Sequence, residues 1–313
     1  MSRLLLLSLL LLFSCYRTHE NLEPQLNYTL QERYLNSLPS ATTPLSAEER
    51  GEEWGKEFTI GMAFSHELDL YRAVTALKRA DILIPPDDKE RRREIQYEIL
   101  WNYYLGQRYD DVIATFEKGL LRNVDAQFKS FQDLLVILYD SYDKTGADFQ
   151  AQQTLNLLQT YYPDIYEDLL ISRAFQSANL PELETLSQEE PEKPYLNEFL
   201  ANYKEKRKSP STAEWLNTFI PGAGYFYVGQ RQTGITALLV NGLFIAASYH
   251  FFHRGQVAAG IITVSFEAGW YFGGIIGAGQ EAKLYNERMY EKTATPIMNQ
   301  QGLFPVFMLN YAF

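Results

Sequence analysis

Apolar positions are distributed unevenly along the chain. They form a run over residues 4–13 broken only by Ser8, recur at helical spacing from about residue 49 to 170, and return as two long blocks over residues 233–252 and 257–279. The first run is too short to cross a hydrocarbon core of ~30 Å. The recurrence every three to four residues predicts amphipathic helices. The two late blocks, of about 20 and 23 residues, are each long enough to span a bilayer. Only His253-Arg254-Gly255-Gln256 separates them, so they are expected to form a tight helical hairpin. Between the first run and the periodic region, residues 16–48 mix Asn, Ser, Thr, Pro and Glu with few periodic hydrophobes, which predicts a flexible tether. The pattern predicts an all-α chain with five parts. These are a leader (1–15), the tether (16–48), a helical domain (49–203), a membrane module (212–292) and a tail (293–313). The Glu/Pro-rich stretch 187–194 reads as a loop, and residues 164–203 as a degenerate fourth unit or capping helices.

Within the periodic region the chain repeats itself. Ala73, Val112 and Ala151 are spaced 39 residues apart, and three further columns keep the same interval. Four residues on stand Leu77, Phe116 and Leu155; seven on, Ala80, Gly119 and Leu158; nine earlier, Phe64, Tyr103 and Tyr142. Small residues two turns apart on one helix let a neighbouring helix approach, and the bulky residue between them fills the gap. The pattern resembles the tetratricopeptide repeat, with Gly61, Phe64, Ala73, Leu77, Ala80 and Pro85 falling at the family's positions in the first unit, and Gly146 and Pro163 in the third. The period exceeds the family's by about five residues, which fit longer loops such as residues 86–90. The resemblance implies stacked helical hairpins and a role in holding protein partners, with Tyr103, Tyr104 and Tyr142 as candidate groove residues. These tyrosines read equally as core between helices.

Before the first long block lies Pro221-Gly222-Ala223-Gly224-Tyr225-Phe226-Tyr227-Val228-Gly229. Over residues 212–292 this turn and the paired spans resemble the TM2-like two-helix module. Pro221, Gly222, Gly224, Tyr227 and Gly229 form its turn motif. The glycines permit turns and close approach, so the segment is read as re-entrant or interfacial. Small residues at Gly260, Ala268, Gly269, Gly273, Gly274 and Gly277 are expected to let the second span pack closely on the first.

Charge and cysteine usage narrow the function. A formal charge of -11 excludes a nucleic-acid surface. The single cysteine, Cys15, follows a short basic start and the first apolar run, and Leu12-Phe13-Ser14-Cys15 resembles the lipobox of bacterial lipoproteins. That resemblance implies acylation at Cys15 and anchoring in membrane lipid outside the cytoplasm. An ordinary signal peptide or an uncleaved anchor is the alternative reading of the same residues. A lipoprotein start places the repeats outside the cytoplasm in the inner membrane, with an outer-membrane location also open; the basic flanks at Lys204, Lys208, Lys283 and Lys292 point the other way.

Candidate chemistry is sparse. Glu267 lies inside the second block and Asn241 at similar depth in the first, a polar pair in an apolar setting. The pair reads as a structural hydrogen bond, or as a proton- or ligand-responsive centre. Motifs for serine hydrolysis, zinc proteolysis, nucleotide binding and dithiol chemistry are missing from the sequence. His250 and His253 lack a third ligand nearby, so no metal and no cofactor is expected. The expected function is non-enzymatic: a membrane-anchored scaffold for protein partners at the cell envelope. The alternative is a component of envelope assembly or transport in which the hairpin and Glu267 are the active part.

Overall fold

The computed structural model describes residues 22–29 and 32–313, so the expected leader and Cys15 lie outside the described residues. Among these the chain is all helical, with no strand and one isolated parallel bridge between Ser40 and Ala312. The helices are α1 (Glu32–Leu35), α2 (Ala47–Gly51), α3 (Glu53–His66), α4 (Leu70–Leu83), α5 (Lys89–Leu105), α6 (Tyr109–Lys118), α7 (Phe131–Thr145), α8 (Asp148–Tyr161), α9 (Pro163–Gln176), α10 (Leu180–Glu189), α11 (Pro194–Lys206), α12 (Pro210–Phe219), α13 (Ala223–Tyr227), α14 (Arg231–His253) and α15 (Val257–Gln300). They form two compact units. One holds residues 27–173 with 297–313, and the other holds residues 174–296 with residues 22–26.

In the first unit successive helices pack as hairpins, α3 on α4, α5 on α6 and α7 on α8, and neighbouring hairpins stack through α4–α5, α6–α7 and α5–α7. The repeat columns lie in these seams. Ala73, Val112, Leu77, Ala80 and Leu158 are fully buried, and Ala151 and Leu155 nearly so. At Gly61 a Cβ would come within 2.7 Å of Leu77 Cγ, so the small residue is required by the helix it faces. Asp69 and Asp88 cap α4 and α5, their carboxylates accepting from the backbone N–H groups of Arg72 and Arg91.

The turn inside each hairpin repeats as well. Leu68, Gln107 and Gly146 all adopt left-handed backbone (φ 57°, 55° and 72°), and they are spaced 39 residues apart. In each, the following residue's N–H donates back to the carbonyl five residues earlier, at Phe64, Tyr103 and Tyr142 in turn, each at 2.9 Å. This closure satisfies carbonyls that a helix end would leave without a partner. The aromatic column of the repeat therefore marks the last turn of each first helix. Ala178 (φ 49°) repeats the closure between α9 and α10, but only 32 residues after Gly146, so the fourth hairpin keeps the turn and shortens the period.

Two helices depart from amphipathic expectation. In α5 every residue from Ile95 to Tyr104 is buried, and in α7 every residue from Asp133 to Tyr142. A helix buried on all faces needs cover on the side its hairpin neighbours leave open. Part of that cover comes from residues expected to be a flexible tether. Leu35, Ala41 and Thr42 are buried, and Arg91 donates to the Thr43 carbonyl at 2.6 Å while pairing with Glu49 at 2.9 Å. Glu94 in turn accepts from Thr43. The tether reading fails from about residue 34 to 46 because polar residues there bond to partners on α5 that no local pattern reveals.

In the second unit α10 packs on α11, and α12 on α13. α14 and the first part of α15 are the two long apolar blocks, and both are long and apolar enough to cross a membrane. At ~1.5 Å per residue the 23 residues of α14 reach about 35 Å. α15 runs for 44 residues, roughly twice what a bilayer needs. The helix thus continues through residues expected to be a separate tail. The expected hairpin turn is present, with Gly255 in left-handed backbone at φ 70°.

Candidate functional site

The candidate partner surface of the repeat unit lies along α5 and α7, the first helices of their hairpins. Tyr103, Tyr104 and Tyr142 are each 4–5% exposed. Tyr103 is flanked by the cations of Lys78 and Arg108, 5.1 and 5.0 Å from its ring centre. The Tyr104 hydroxyl donates to Asp140 at 2.8 Å, and its ring stacks near Trp101. In this conformation the three tyrosines are packing residues with little surface to offer.

The surface beside them is occupied by the chain itself. Leu303, Phe304, Val306, Met308, Leu309, Ala312 and Phe313 are all buried, and the short 3-10 turn Pro305–Met308 packs on α7. Asp133, at the start of α7 and fully buried, holds this segment. Its carboxylate accepts from the backbone N–H of Asn310 (3.0 and 3.1 Å), the Asn310 side-chain amide (3.2 Å) and the backbone N–H of Tyr311 (2.9 Å). Charge-assisted bonds of this kind contribute about 1.5–3 kcal/mol each when both partners are desolvated. Ala312 also exchanges backbone bonds with Pro39 and Ala41, and the Phe313 ring meets His66 at 5.1 Å. Tyr28 lies over Phe304 and Phe307, with centroids 5.1 and 5.6 Å away.

Electrostatics on this face are dominated by buried acids. Burial pushes the Asp133 carboxyl up to about 6, despite the N–H groups of Asn310 and Tyr311 that pull it down. Burial raises Asp140 too, with the Lys144 ammonium and the Tyr104 hydroxyl opposing. Glu98 on α5 is completely buried and neither of its oxygens has a hydrogen-bond partner. Burial, then the neighbouring Glu94 charge, push it up to about 8 against the pull of Lys129. A carboxyl in that setting is neutral at pH 7.

The second candidate region is the turn motif with the two apolar helices. Asn217 on α12 accepts the Gly222 N–H at 2.8 Å, fixing the elbow into α13. Gly222 is left-handed (φ 96°), and a Cβ there would strike the Gly234 carbonyl at the start of α14. A Cβ at Gly224 would strike the Ala213 carbonyl and come within 2.7 Å of the Ala278 Cβ. Ala213, Tyr225, Val228, Ala237, Ala278 and Ala282 form the small core where α12, α13, α14 and α15 meet. The glycines of the second span act differently from expectation. Gly274 and Gly277 face Asn217 and the Tyr225 hydroxyl, Gly260 faces the Phe252 ring of α14, and Gly269 and Gly273 face open space. The motif glycines thus seat the α12–α13 elbow against the spans, rather than mainly joining one span to the other.

Asn241 is buried, and its amide donates to the Ala237 carbonyl of its own helix at 2.6 Å. Its carbonyl oxygen and Glu267 Oε2 are both buried without a hydrogen-bond partner. The two side chains share no hydrogen bond, so the expected structural bond between them is not formed. His250 and His253 lie in the last turn of α14, beside the rings of Phe251 and Tyr249.

Compared with protein-family models, curated proteins and solved structures, the chain matches none.

Sequence reasoning missed the Asp133 clasp and the segment it holds. Two signals carry it in hindsight. Asp133 adjoins the apolar run Leu134 to Leu138, where a solvent-facing acid has no place on a helix buried all round. The segment 303–313 is rich in aromatic and aliphatic residues without helical or strand periodicity, the signature of a chain that packs on a surface made elsewhere.

Proposed function

We propose that the chain is a membrane-anchored scaffold of tetratricopeptide-like hairpins that holds protein partners at a cell envelope. Acylation at Cys15 and the apolar hairpin are its two anchors. One observation carries the reading: the face along α5 and α7 holds the segment 303–313, with Asp133 gripping backbone N–H groups and apolar side chains packed around it. Gripping the backbone leaves the identity of most side chains open, which suits a surface that takes peptides of varied sequence. The membrane part is supported by the exposed apolar residues from Trp215 to Ile276, a belt far beyond what a water-soluble monomer exposes. Little of either apolar helix window is buried in the protein (17% and 6%), unlike the core helix of a soluble domain. The proposed reading is non-enzymatic.

The test is crosslinking and mass spectrometry of the tagged protein in its own membrane. Crosslinks from the α5–α7 face to other proteins are expected, and recovery of no protein partner overturns the scaffold. A second reading has its own observation, the unsatisfied Glu267 and Asn241 oxygens among apolar helices. Loss of phenotype in a stable Glu267→Gln variant that keeps its crosslinked partners moves the active part to the hairpin.

A further inference from the structure

A second site lies in the unit that carries the apolar helices. A cavity of about 770 Å³ opens where the end of α11, the start of α12, α13 and the middle of α15 meet. Four cations line it, Lys204, Arg207, Lys208 and Lys283, against the two carboxylates Glu214 and Glu287. That positive excess sits in a chain whose formal charge is -11. The Arg207 guanidinium makes no ion pair among the described residues, while Lys204 already pairs with Glu184 at 2.7 Å.

The wall of this cavity is built rather than merely charged. Both backbone groups of Lys208 are clasped by one side chain: its N–H donates to Asn286 Oδ1 at 2.7 Å and its carbonyl accepts from Asn286 Nδ2 at 2.8 Å. The Ser209 N–H donates to the Tyr227 hydroxyl at 3.2 Å, and the Lys208 ammonium rests 4.8 Å over the Tyr227 ring. Tyr227, from the turn motif, thereby fixes where the basic elbow points. Preorganised cations of this kind bind an anion without the entropy cost of gathering loose side chains.

Position says which anion. On α12 the exposed apolar belt begins at Trp215, the residue after Glu214 of the cavity wall, and on α15 it ends at Ile276, two turns before Lys283. The cavity therefore opens at the edge of the apolar belt, at the depth of lipid headgroups if the belt lies in a bilayer. Arg207 and Lys208 offer a guanidinium fork and an ammonium group, which suit phosphate oxygens. We propose that this cavity binds a phosphate ester, the headgroup phosphate of an anionic phospholipid. The lipid source rests on the membrane reading above; the anion site itself does not.

The experiment uses the full chain purified from membranes into nanodiscs, with bound lipid read by native mass spectrometry. The wild type is expected to retain phosphatidylglycerol over phosphatidylcholine. Arg207→Gln/Lys208→Gln should weaken that retention by about tenfold or more, at roughly 1 kcal/mol per cation. A charge-matched control away from the cavity, Lys206→Gln/Arg254→Gln, should leave it within about twofold. Thermal unfolding of each variant checks that it is folded, and Lys283→Gln serves as a second cavity variant approached from α15. Equal retention of both lipids by the wild type, or unchanged retention in the folded cavity variants, overturns the site. Glycerol 3-phosphate binding as tightly as the lipid overturns the lipid source in favour of a soluble anion. Alkaline carbonate extraction of the same membranes separates the two levels. Release of the wild type overturns the membrane reading and the lipid source with it, whereas retention in the pellet without lipid selectivity overturns the cavity proposal alone.

Discussion

Glu98 departs far from ordinary aqueous chemistry. With its carboxyl pushed up to about 8 by burial, the folded state keeps a proton there that the unfolded chain gives up near its ordinary value of 4.5. Where the folded state binds more protons than the unfolded one, stability falls as pH rises. The fall is expected from about pH 4.5 to about pH 8, at up to ~1.4 kcal/mol per pH unit. Asp133 adds a loss of the same sign between its ordinary 3.8 and about 6. Above pH 6 Glu98 still contributes, where Asp133 no longer does. Urea unfolding followed by circular dichroism at several pH values should show it, and Glu98→Gln should flatten it. A wild type equally stable at pH 6 and 8 contradicts the assignment.

At the scale of the element, the turns and elbows separate two uses of glycine. Gly146 is left-handed with open space where a Cβ would sit, so Gly146→Ala should cost about 1 kcal/mol through backbone conformation alone. Ala178 has the same conformation with a Cβ already present, and Ala178→Gly should stabilise by about 0.5–1 kcal/mol. Thermal melts that move both variants in one direction would contradict this account. Gly224 is different, because a Cβ there meets the Ala213 carbonyl and the Ala278 Cβ. Gly224→Ala should lower the melting temperature of the detergent-solubilised protein by several degrees, while Gly269→Ala, facing open space, should leave it unchanged. Equal effects would show that the elbow is not seated by close approach.

Much of this element level was legible beforehand. The 39-residue period, the hairpin turn at Gly255 and the two apolar helices follow from spacing and hydropathy, because each is set within a few turns of chain. The roles of Gly274 and Gly277 were not, because the same small residues serve any close neighbour and only the fold shows that α12 and α13 supply it. Tyr103, Tyr104 and Tyr142 illustrate the same limit. An aromatic column at the 39-residue interval marks a helix face or a helix end, and here it marks the end, with Tyr103 and Tyr142 buried.

At the scale of the whole molecule, the least legible feature is that segments distant in sequence complete one surface. Asp133 and Asn310 are 177 residues apart, and no local pattern joins them. Asp133→Asn leaves a shape of the same size but replaces the charged acceptor with an amide whose N–H groups face other donors. Loss of charge-assisted bonds there should cost about 2–4 kcal/mol. Limited digestion with chymotrypsin offers the readout, since the bonds after Phe307 and Tyr311 are cleavable. The wild type should resist at these positions and Asp133→Asn should be cut there first. Identical digestion patterns would remove Asp133 from its holding role.

The docked segment also changes what any affinity measured on this protein means. Residues 301–313 are joined to the helix that presents them, so they meet the α5–α7 face at an effective concentration of about millimolar rather than at the concentration of protein in solution. A free peptide aimed at the same face must outcompete a resident that never diffuses away. Its apparent dissociation constant is the intrinsic one divided by the fraction of time the face stands empty, however good its own contacts are. Weak apparent binding by an isolated peptide is then the arithmetic of occupancy. A partner that holds the protein at a second point gains the same advantage of proximity that the resident segment already has.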